Sequence, residues 1–290
     1  MRVLVTGASG FVGSALVSAL AAEGVAVRAA YRTLPASRSG EAVAIGDLSG
    51  ATDWAGALDG VTHAVHCAGP AHRRTDESTC RREIVEATEA LAKQAEAAGV
   101  TRLVYLSSVK AAADRGGPFR ETDAPHPETD YGRAKLEAER RLSERTKLAP
   151  VSLRPPLVFA PNAKANFARL LRLAASPAPL PLGGLNNRRS LISLTSLIDA
   201  IRAVLRAEQG AGAYFVAGTP ALSTSDLVTD LRAGMGRKAN LVPAPRALLP
   251  RALTETFEVD PSAFRAAFAF MPTHDVHEAL RRCGAAWARR

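Results

Sequence analysis

The chain alternates short apolar runs with longer stretches in which apolar residues recur at helical spacing. Val3–Val5, Val25–Ala30, Ala42–Ile45, Ala64–Cys67, Leu103–Leu106 and Val151–Leu153 are the short runs. Rich in aliphatic and β-branched residues and bounded by turn residues, they read as strands buried on both faces. Between them, Ser14–Ala22, Glu83–Ala98 and Asp130–Lys147 read as helices, the first two ended by Gly24 and Gly99. Strands alternating with helices through short links predict an α/β fold with a doubly wound parallel sheet. The Gly-, Pro- and Asp-bearing stretch Ala113–Pro127 reads as a loop, as does polar Arg73–Cys80, expected to be mobile above a site.

After Pro161 the character changes. Asn166–Ala174 is an amphipathic helix and Pro177–Gly184 a loop. Arg189–Leu194 is a strand, Leu197–Ala207 a helix and Tyr214–Ala217 one more core strand. A helix from about Ser225, a proline-rich break at Val242–Pro250 and a weakly helical tail follow. The expected organisation is a dinucleotide-binding domain over 1–161 and a smaller, mostly substrate-binding lobe over 162–290. The strands near 189–194 and 214–217 return to the core. The lobe is expected over the carboxyl ends of the strands, where open sheets bind ligands.

The first strand breaks into Thr6-Gly7-Ala8-Ser9-Gly10-Phe11-Val12-Gly13. Strand, glycine turn and helix in direct succession form the context of a dinucleotide fingerprint, here spaced GxxGxxG. Gly7 allows a tight turn, Gly10 lets backbone approach a pyrophosphate, and Gly13 lets the helix pack near the strand. Phosphates would sit on the unpaired amides of the helix start. At the end of the second strand, where an acid would hold the ribose hydroxyls of NAD, stand Tyr31 and Arg32. With no carboxylate competing and a guanidinium available for a 2′-phosphate, NADP is favoured over NAD. Asp47 either accepts from the adenine amino group, with Leu48 packing nearby, or caps the following helix. Cys67, Ala68 and Gly69 close the fourth strand, where backbone should pass the nicotinamide half; His66 reads as a packed strand residue.

Tyr131 and Lys135 lie four apart at the start of a helix and share one face. An ammonium nearby favours phenolate and lowers a tyrosine pKa from about 10 toward neutral. Tyr131 then serves as acid or base toward a hydroxyl or ketone. Ser107-Ser108 end the fifth strand, placed to hydrogen-bond the same substrate oxygen.

Composition narrows the field. Net charge is +9, but 31 Arg against 6 Lys, scattered and without interleaved aromatics, read as coding bias more than a nucleic-acid surface. Three widely spaced cysteines make no metal pattern and no disulfide framework. No stretch nears the ~20 apolar residues of a membrane span, and no leader precedes the first strand, so a cytoplasmic protein without membrane insertion is expected.

TGASGFVG at the start, Ser107-Ser108, Tyr131-Gly-Arg-Ala-Lys135, and Arg154-Pro155-Pro156 followed by Phe159-Ala160-Pro161 together resemble the extended short-chain dehydrogenase/reductase family, the NAD-dependent epimerases and dehydratases. The resemblance implies a Rossmann-type domain, NAD(P)-dependent hydride chemistry, and Ser108, Tyr131 and Lys135 as the catalytic triad. It extends the cofactor contacts to Ser9, Phe11, Val12, Tyr131, Lys135 and Pro155. Downstream, the chain is similar to the nucleotide-sugar branch. Asn166 matches an Asn that contacts the nucleotide, and Arg189, within Asn187-Arg188-Arg189-Ser190, matches an Arg on the diphosphate. The string as a whole is similar to a bacterial subgroup of UDP-glucose 4-epimerases that also holds 4-keto-sugar reductases of surface-polysaccharide synthesis. A homodimer through the two long helices suits the family.

The chain departs from the pattern in places. Ile84 stands where an Asn is expected, and a second diphosphate arginine has no clear counterpart after Val242. Val109 and Lys110 replace the acids that a 4,6-dehydratase carries beside the serine, which argues against dehydration. The same triad serves a UDP-sugar 4-epimerase and a 4-keto-sugar reductase. The alternatives are an NADPH-dependent reductase of a non-sugar ketone, disfavoured by Asn166 and Arg189, and a non-catalytic NAD(P)-sensing protein, disfavoured by the intact Tyr–Lys pair.

Overall fold

Seven short strands, the central ones buried on both faces, assemble side by side. The computed structural model describes residues 1–37, 40–70 and 76–290. The strands are β1 (Arg2–Thr6), β2 (Ala26–Tyr31), β3 (Glu41–Ala44), β4 (His63–His66), β5 (Arg102–Leu106), β6 (Val151–Arg154) and β7 (Gly212–Phe215). Their spatial order is β3-β2-β1-β4-β5-β6-β7, with every neighbouring pair parallel. The order reverses between β1 and β4, and the crevice at their carboxyl ends is where such sheets take ligands. The doubly wound parallel sheet expected from the sequence is therefore the one observed.

The period-two alternation of each strand divides the core in two. Val3 and Val5 join Val65, Val104 and Leu153 against α1 (Phe11–Ala22) and the later helix Leu194–Arg206. Leu4 joins Ala64, Leu103 and Tyr105 against α2 (Ala87–Ala97) and α3 (Asp130–Ser143). A one-turn helix, Glu77–Cys80, and a π-helical turn, Arg81–Glu86, lead into α2. The mobile loop expected over 73–80 is corrected in part. Asp76 caps Glu77–Cys80 by accepting from the Thr79 amide at 2.7 Å, and residues 73–75 lie outside the described residues.

Two other expected loops hold strands. Gly116–Phe119 pairs with Phe257–Val259, and Leu180–Gly183 with Leu241–Pro243, both in parallel. Pairing with a distant segment, rather than local propensity, makes these strands. Leu191–Ser193 pairs with Leu157–Phe159 outside the main sheet, and Leu194, expected in that strand, begins the following helix. Within 162–290, α4 (Ala165–Ala175), α5 (Leu194–Arg206), α6 (Thr224–Gly234), α7 (Ser262–Phe268) and α8 (Val276–Ala288) follow. Leu171, Leu227, Leu231 and Leu280 make a third core there. Buried Arg232 donates to the carbonyls of Ala174, Ser176, Ala178, Ala239 and Asn240, satisfying the frayed end of α4. Among the described residues no helix is long and apolar enough to cross a membrane.

Candidate active site

The glycine turn is built by close approach. Gly7 sits at φ +65°, and a Cβ there would meet the Ala68 amide at 2.8 Å. A Cβ on Gly13 would run into the Gly7 carbonyl, so any side chain would push α1 off β1. The Gly10 amide donates to Gly7 O at 2.8 Å, and the Gly10 N-cap offers α1 no side-chain cap. No acid stands in the first turn of α1. The first amides of α1 are thus left for an anion, with the helix dipole behind them. Ser9 and Gly10 are exposed, and Phe11 and Val12 partly buried. An uncapped helix start closed by three tight glycine contacts fits a dinucleotide pyrophosphate.

At the rim of this crevice Arg32 meets Asp47, Nε to Oδ1 at 3.1 Å. The Gly46 amide donates to Arg32 O at 3.1 Å, which brings the turn after β3 against the end of β2. The sequence expectation that no carboxylate competes for Arg32 is therefore corrected. Asp47 does not cap the helix Ala55–Leu58, whose N-cap is Trp54. Leu48 packs on the core edge and Tyr31 is partly buried.

The Ser–Tyr–Lys group converges from β5 and α3. Ser108 opens a 3₁₀ turn, Val109–Ala111, and its Oγ accepts from the Lys110 amide at 3.2 Å. The first turn of α3 lies on this 3₁₀ turn. A Cβ on Gly132 would run into Lys110 O, so glycine after Tyr131 permits the approach. Thr129 caps α3 by accepting from the Gly132 amide at 3.2 Å. The Ser108 hydroxyl bears on the Tyr131 phenol and pulls its pKa down. Ser107 is buried, its amide donating to Leu153 O at 2.8 Å, and its hydroxyl has no partner among the described residues. Of the two serines, Ser108 is the one whose hydroxyl bears on the Tyr131 phenol. Buried Pro155 accepts from the Val109 amide at 3.2 Å and ties the turn after β6 to the same place.

Lys135 is 5% exposed; its Nζ donates to Leu106 O at 2.8 Å and lies 4.5 Å from the Tyr105 ring centroid and 5.8 Å from that of Tyr131. Burial pushes its pKa down to about 8, opposed by the Glu139 carboxylate one turn on. A Cβ on Gly69 would lie 4.0 Å from Lys135 Nζ, so the turn after β4 closes over the ammonium. Burial holds the neighbouring Cys67 thiol up at about 12. The expected depression of Tyr131 does not occur. Burial of the phenol outweighs the pull of the Ser108 hydroxyl and raises Tyr131 to about 12. Tyr131 therefore holds its proton at neutral pH. His66 is packed, as expected from its strand.

The remaining predicted residues lie in the later part of the chain. Asn166 is exposed in the first turn of α4, and its side-chain amide makes no hydrogen bond among the described residues. Arg189 donates to the Ala252 carbonyl, while neighbouring Arg188 is held by Glu258 at 2.7 and 2.8 Å. Beside Ala252 an open cleft of about 510 Å³ is lined by Arg115, Arg246, Arg251, Thr254 and Glu255, among others. The sequence reading missed Arg246 and Arg251, because the proline-rich stretch around them has no period to read.

A model of the NAD dependent epimerase/dehydratase family matches residues 3–218. A Vibrio cholerae protein named UDP-glucose 4-epimerase is 32% identical over 311 residues, spanning 98% of this chain and 95% of that protein. The structure of UDP-N-acetylglucosamine 4-epimerase from Bacillus cereus superposes with a TM-score of 0.84 at 20% identity, covering 99% of both chains. MoeE5 in complex with UDP-glucuronic acid and NAD superposes with a TM-score of 0.81 at 25% identity, covering 100% of this chain and 99% of the other.

Proposed function

We propose a function from the premise that the chain belongs to the NAD dependent epimerase/dehydratase family: it is a 4-epimerase of a nucleotide sugar, using bound NAD. The observation that carries this reading is Tyr131 set against the Ser108 turn and beside buried Lys135, under the turn that follows β4. Gly7, Ser9, Gly10, Phe11, Val12 and Gly13 would hold the pyrophosphate. Tyr31, Arg32, Asp47 and Leu48 would flank the adenosine. Cys67, Ala68, Gly69, Tyr131, Lys135 and Pro155 would line the nicotinamide half. When bound, the nicotinamide supplies the acceptor and then the donor of a hydride at carbon 4.

The residues of this chain move the proton. Ser108 Oγ and Tyr131 Oη bind the 4-oxygen of the sugar. Tyr131 must first give its own phenol proton to solvent; as the phenolate it takes the 4-hydroxyl proton as the hydride leaves, and returns it after the keto sugar has turned its other face. Lys135, a cation beside the phenol ring, favours the phenolate that forms. No electrons are gained or lost overall. Arg189, Arg246 and Arg251 supply guanidinium groups for a diphosphate, and Asn166 a nucleotide contact. MoeE5 binding UDP-glucuronic acid supports a UDP sugar as the substrate class. The lobe over 162–290 and a homodimer through α2 and α3 belong to this proposal, and sedimentation tests the dimer.

A second reading is a 4-keto-sugar reductase of surface-polysaccharide synthesis using NADPH. It is favoured by Tyr131 being held protonated, ready to donate to a ketone, and by Tyr31 where NAD enzymes place an acid. The Arg32–Asp47 pair weighs the other way, because a carboxylate on the guanidinium repels a 2′-phosphate. Denaturing the purified protein and identifying what it releases separates the two. Stoichiometric NAD with interconversion of UDP-glucose and UDP-galactose, or of their N-acetyl forms, supports the epimerase. An empty site that takes NADPH ahead of NADH, with no interconversion, overturns it in favour of the reductase.

A further inference from the structure

A lysine ammonium in a nearly closed site needs more than one partner, since it carries three donors and a full charge. Lys135 has the Leu106 carbonyl and, 4.5 Å from its Nζ, the centroid of the Tyr105 ring; the Glu139 carboxylate one turn on also pulls on it, but that carboxylate is bound to Arg154 at 3.0 and 3.1 Å. The π-turn Arg81–Glu86, which packs on α3, has no polar group to offer from Ile84 or Val85; both are buried in the apolar cluster that also holds Tyr105. Ile84 stands where the family resemblance implies an Asn.

Tyr105 is itself held by its neighbour across the sheet. Its ring stacks on His66 with centroids 5.8 Å apart and planes 19° from parallel. Trp54 meets His66 edge-on at 6.3 Å. His66 Nδ1 is hydrogen-bonded to Thr6 Oγ1 at 2.7 Å, and the same hydroxyl accepts from the Ala68 amide at 3.2 Å. Sheet register makes this row, because Thr6 on β1 pairs with His66 on β4 and His66 pairs with Tyr105 on β5. Thr6 precedes Gly7, so one row of side chains connects the glycine turn to the lysine.

We propose that Tyr105, seated on His66 and Thr6, is a positioning residue whose π face holds Lys135 charged and in register with Tyr131, taking the place of a polar contact from the π-turn. A desolvated ammonium over an aromatic face is where a cation–π interaction is strongest. Burial keeps His66 neutral, its pKa depressed to about 3, so no second positive charge lies under the ring. The proposal deepens the function above and rests on that reading only for its consequence in turnover.

The test replaces Tyr105 with phenylalanine and then with mono-, di- and pentafluorophenylalanine, which drain the π face while nearly preserving ring size. The Lys135 pKa is read by NMR of the lysine ε-carbon, assigned with Lys135→Arg, and turnover of a UDP-hexose is measured in parallel. Tyr105→Phe is expected to leave both close to wild type. Fluorination is expected to lower the pKa stepwise, by about one unit at the pentafluoro ring, with kcat falling and KM little changed. Tyr105→Leu, if it folds, should match or exceed the pentafluoro variant. A Lys135 pKa flat across the fluorinated series overturns the proposal, even if turnover persists. A falling pKa in a protein without epimerase activity leaves the proposal standing and removes the function above.

Discussion

Tyr131 and Ser108, brought from a helix start and a strand end, are set side by side because the glycine after the tyrosine lets α3 rest on the serine's turn. If this pair moves the proton, Tyr131→Phe should cost about 10²–10⁴ in kcat while leaving cofactor affinity unchanged. Ser108→Ala should cost less, and Ser107→Ala less again. Wild-type turnover by Tyr131→Phe would sink the assignment. Gly132→Ala should also lower kcat, through the clash with the Lys110 carbonyl, with the fold retained by circular dichroism.

Lys135 predicts a stability profile at high pH. Its native pKa is depressed to about 8 from 10.5, so between those values the unfolded chain binds a proton that the native one has lost. Stability should therefore rise from pH 8 to 10.5, by at most about 3 kcal/mol from this group. Tyr131 acts oppositely above 10, where the unfolded phenol ionises first and stability falls toward 12. Denaturant titrations of wild type and Lys135→Met at several pH values check this. The rise between 8 and 10.5 should be missing from the variant, and an identical rise in both would refute the attribution.

The Arg32–Asp47 pair predicts a cofactor switch. Asp47→Asn frees the guanidinium and removes the repelling charge, so NADP(H) affinity should rise roughly tenfold relative to NAD(H), about the effect of one charge-assisted contact. Arg32→Ala should abolish the gain. Direct titration of each variant with the four nucleotides decides it. An unchanged NADP-to-NAD ratio in Asp47→Asn means the pair does not border the adenosine.

If Arg189 and Arg251 hold a diphosphate, replacing either with Ala should raise KM for the nucleotide sugar by about tenfold or more, with a smaller change in kcat. Arg188→Ala, whose guanidinium is already held by Glu258, is the control and should change neither. Equal effects at Arg188 and Arg189 would place the diphosphate elsewhere.

Arg232 predicts a structural loss with no chemistry in it. Methionine there leaves the buried Ala174 carbonyl and several part-buried carbonyls without this donor and should cost about 1–3 kcal/mol in urea unfolding. A variant as stable as wild type would mean that water reaches those carbonyls.

The sequence alone determined the doubly wound sheet, the glycine turn on α1 and the serine, tyrosine and lysine that meet at the sheet's carboxyl edge. Each of these is written locally: a parallel strand buried on both faces shows as an unbroken apolar run, a turn as glycines at fixed spacing, a helix face as residues four apart. Tertiary structure decided the rest. The Gly116–Phe119 strand exists only because Phe257–Val259 lies beside it, and Asp47 reaches Arg32 only because β2 and β3 end together. Arg246 and Arg251 gather at a cleft from a stretch without periodicity. The row Thr6–His66–Tyr105 under Lys135 is a matter of register across three strands. Tyr131 stands near 12 rather than near neutral because its pKa depends on how much water the fold removes, a quantity set by every neighbour at once and by no spacing along the chain.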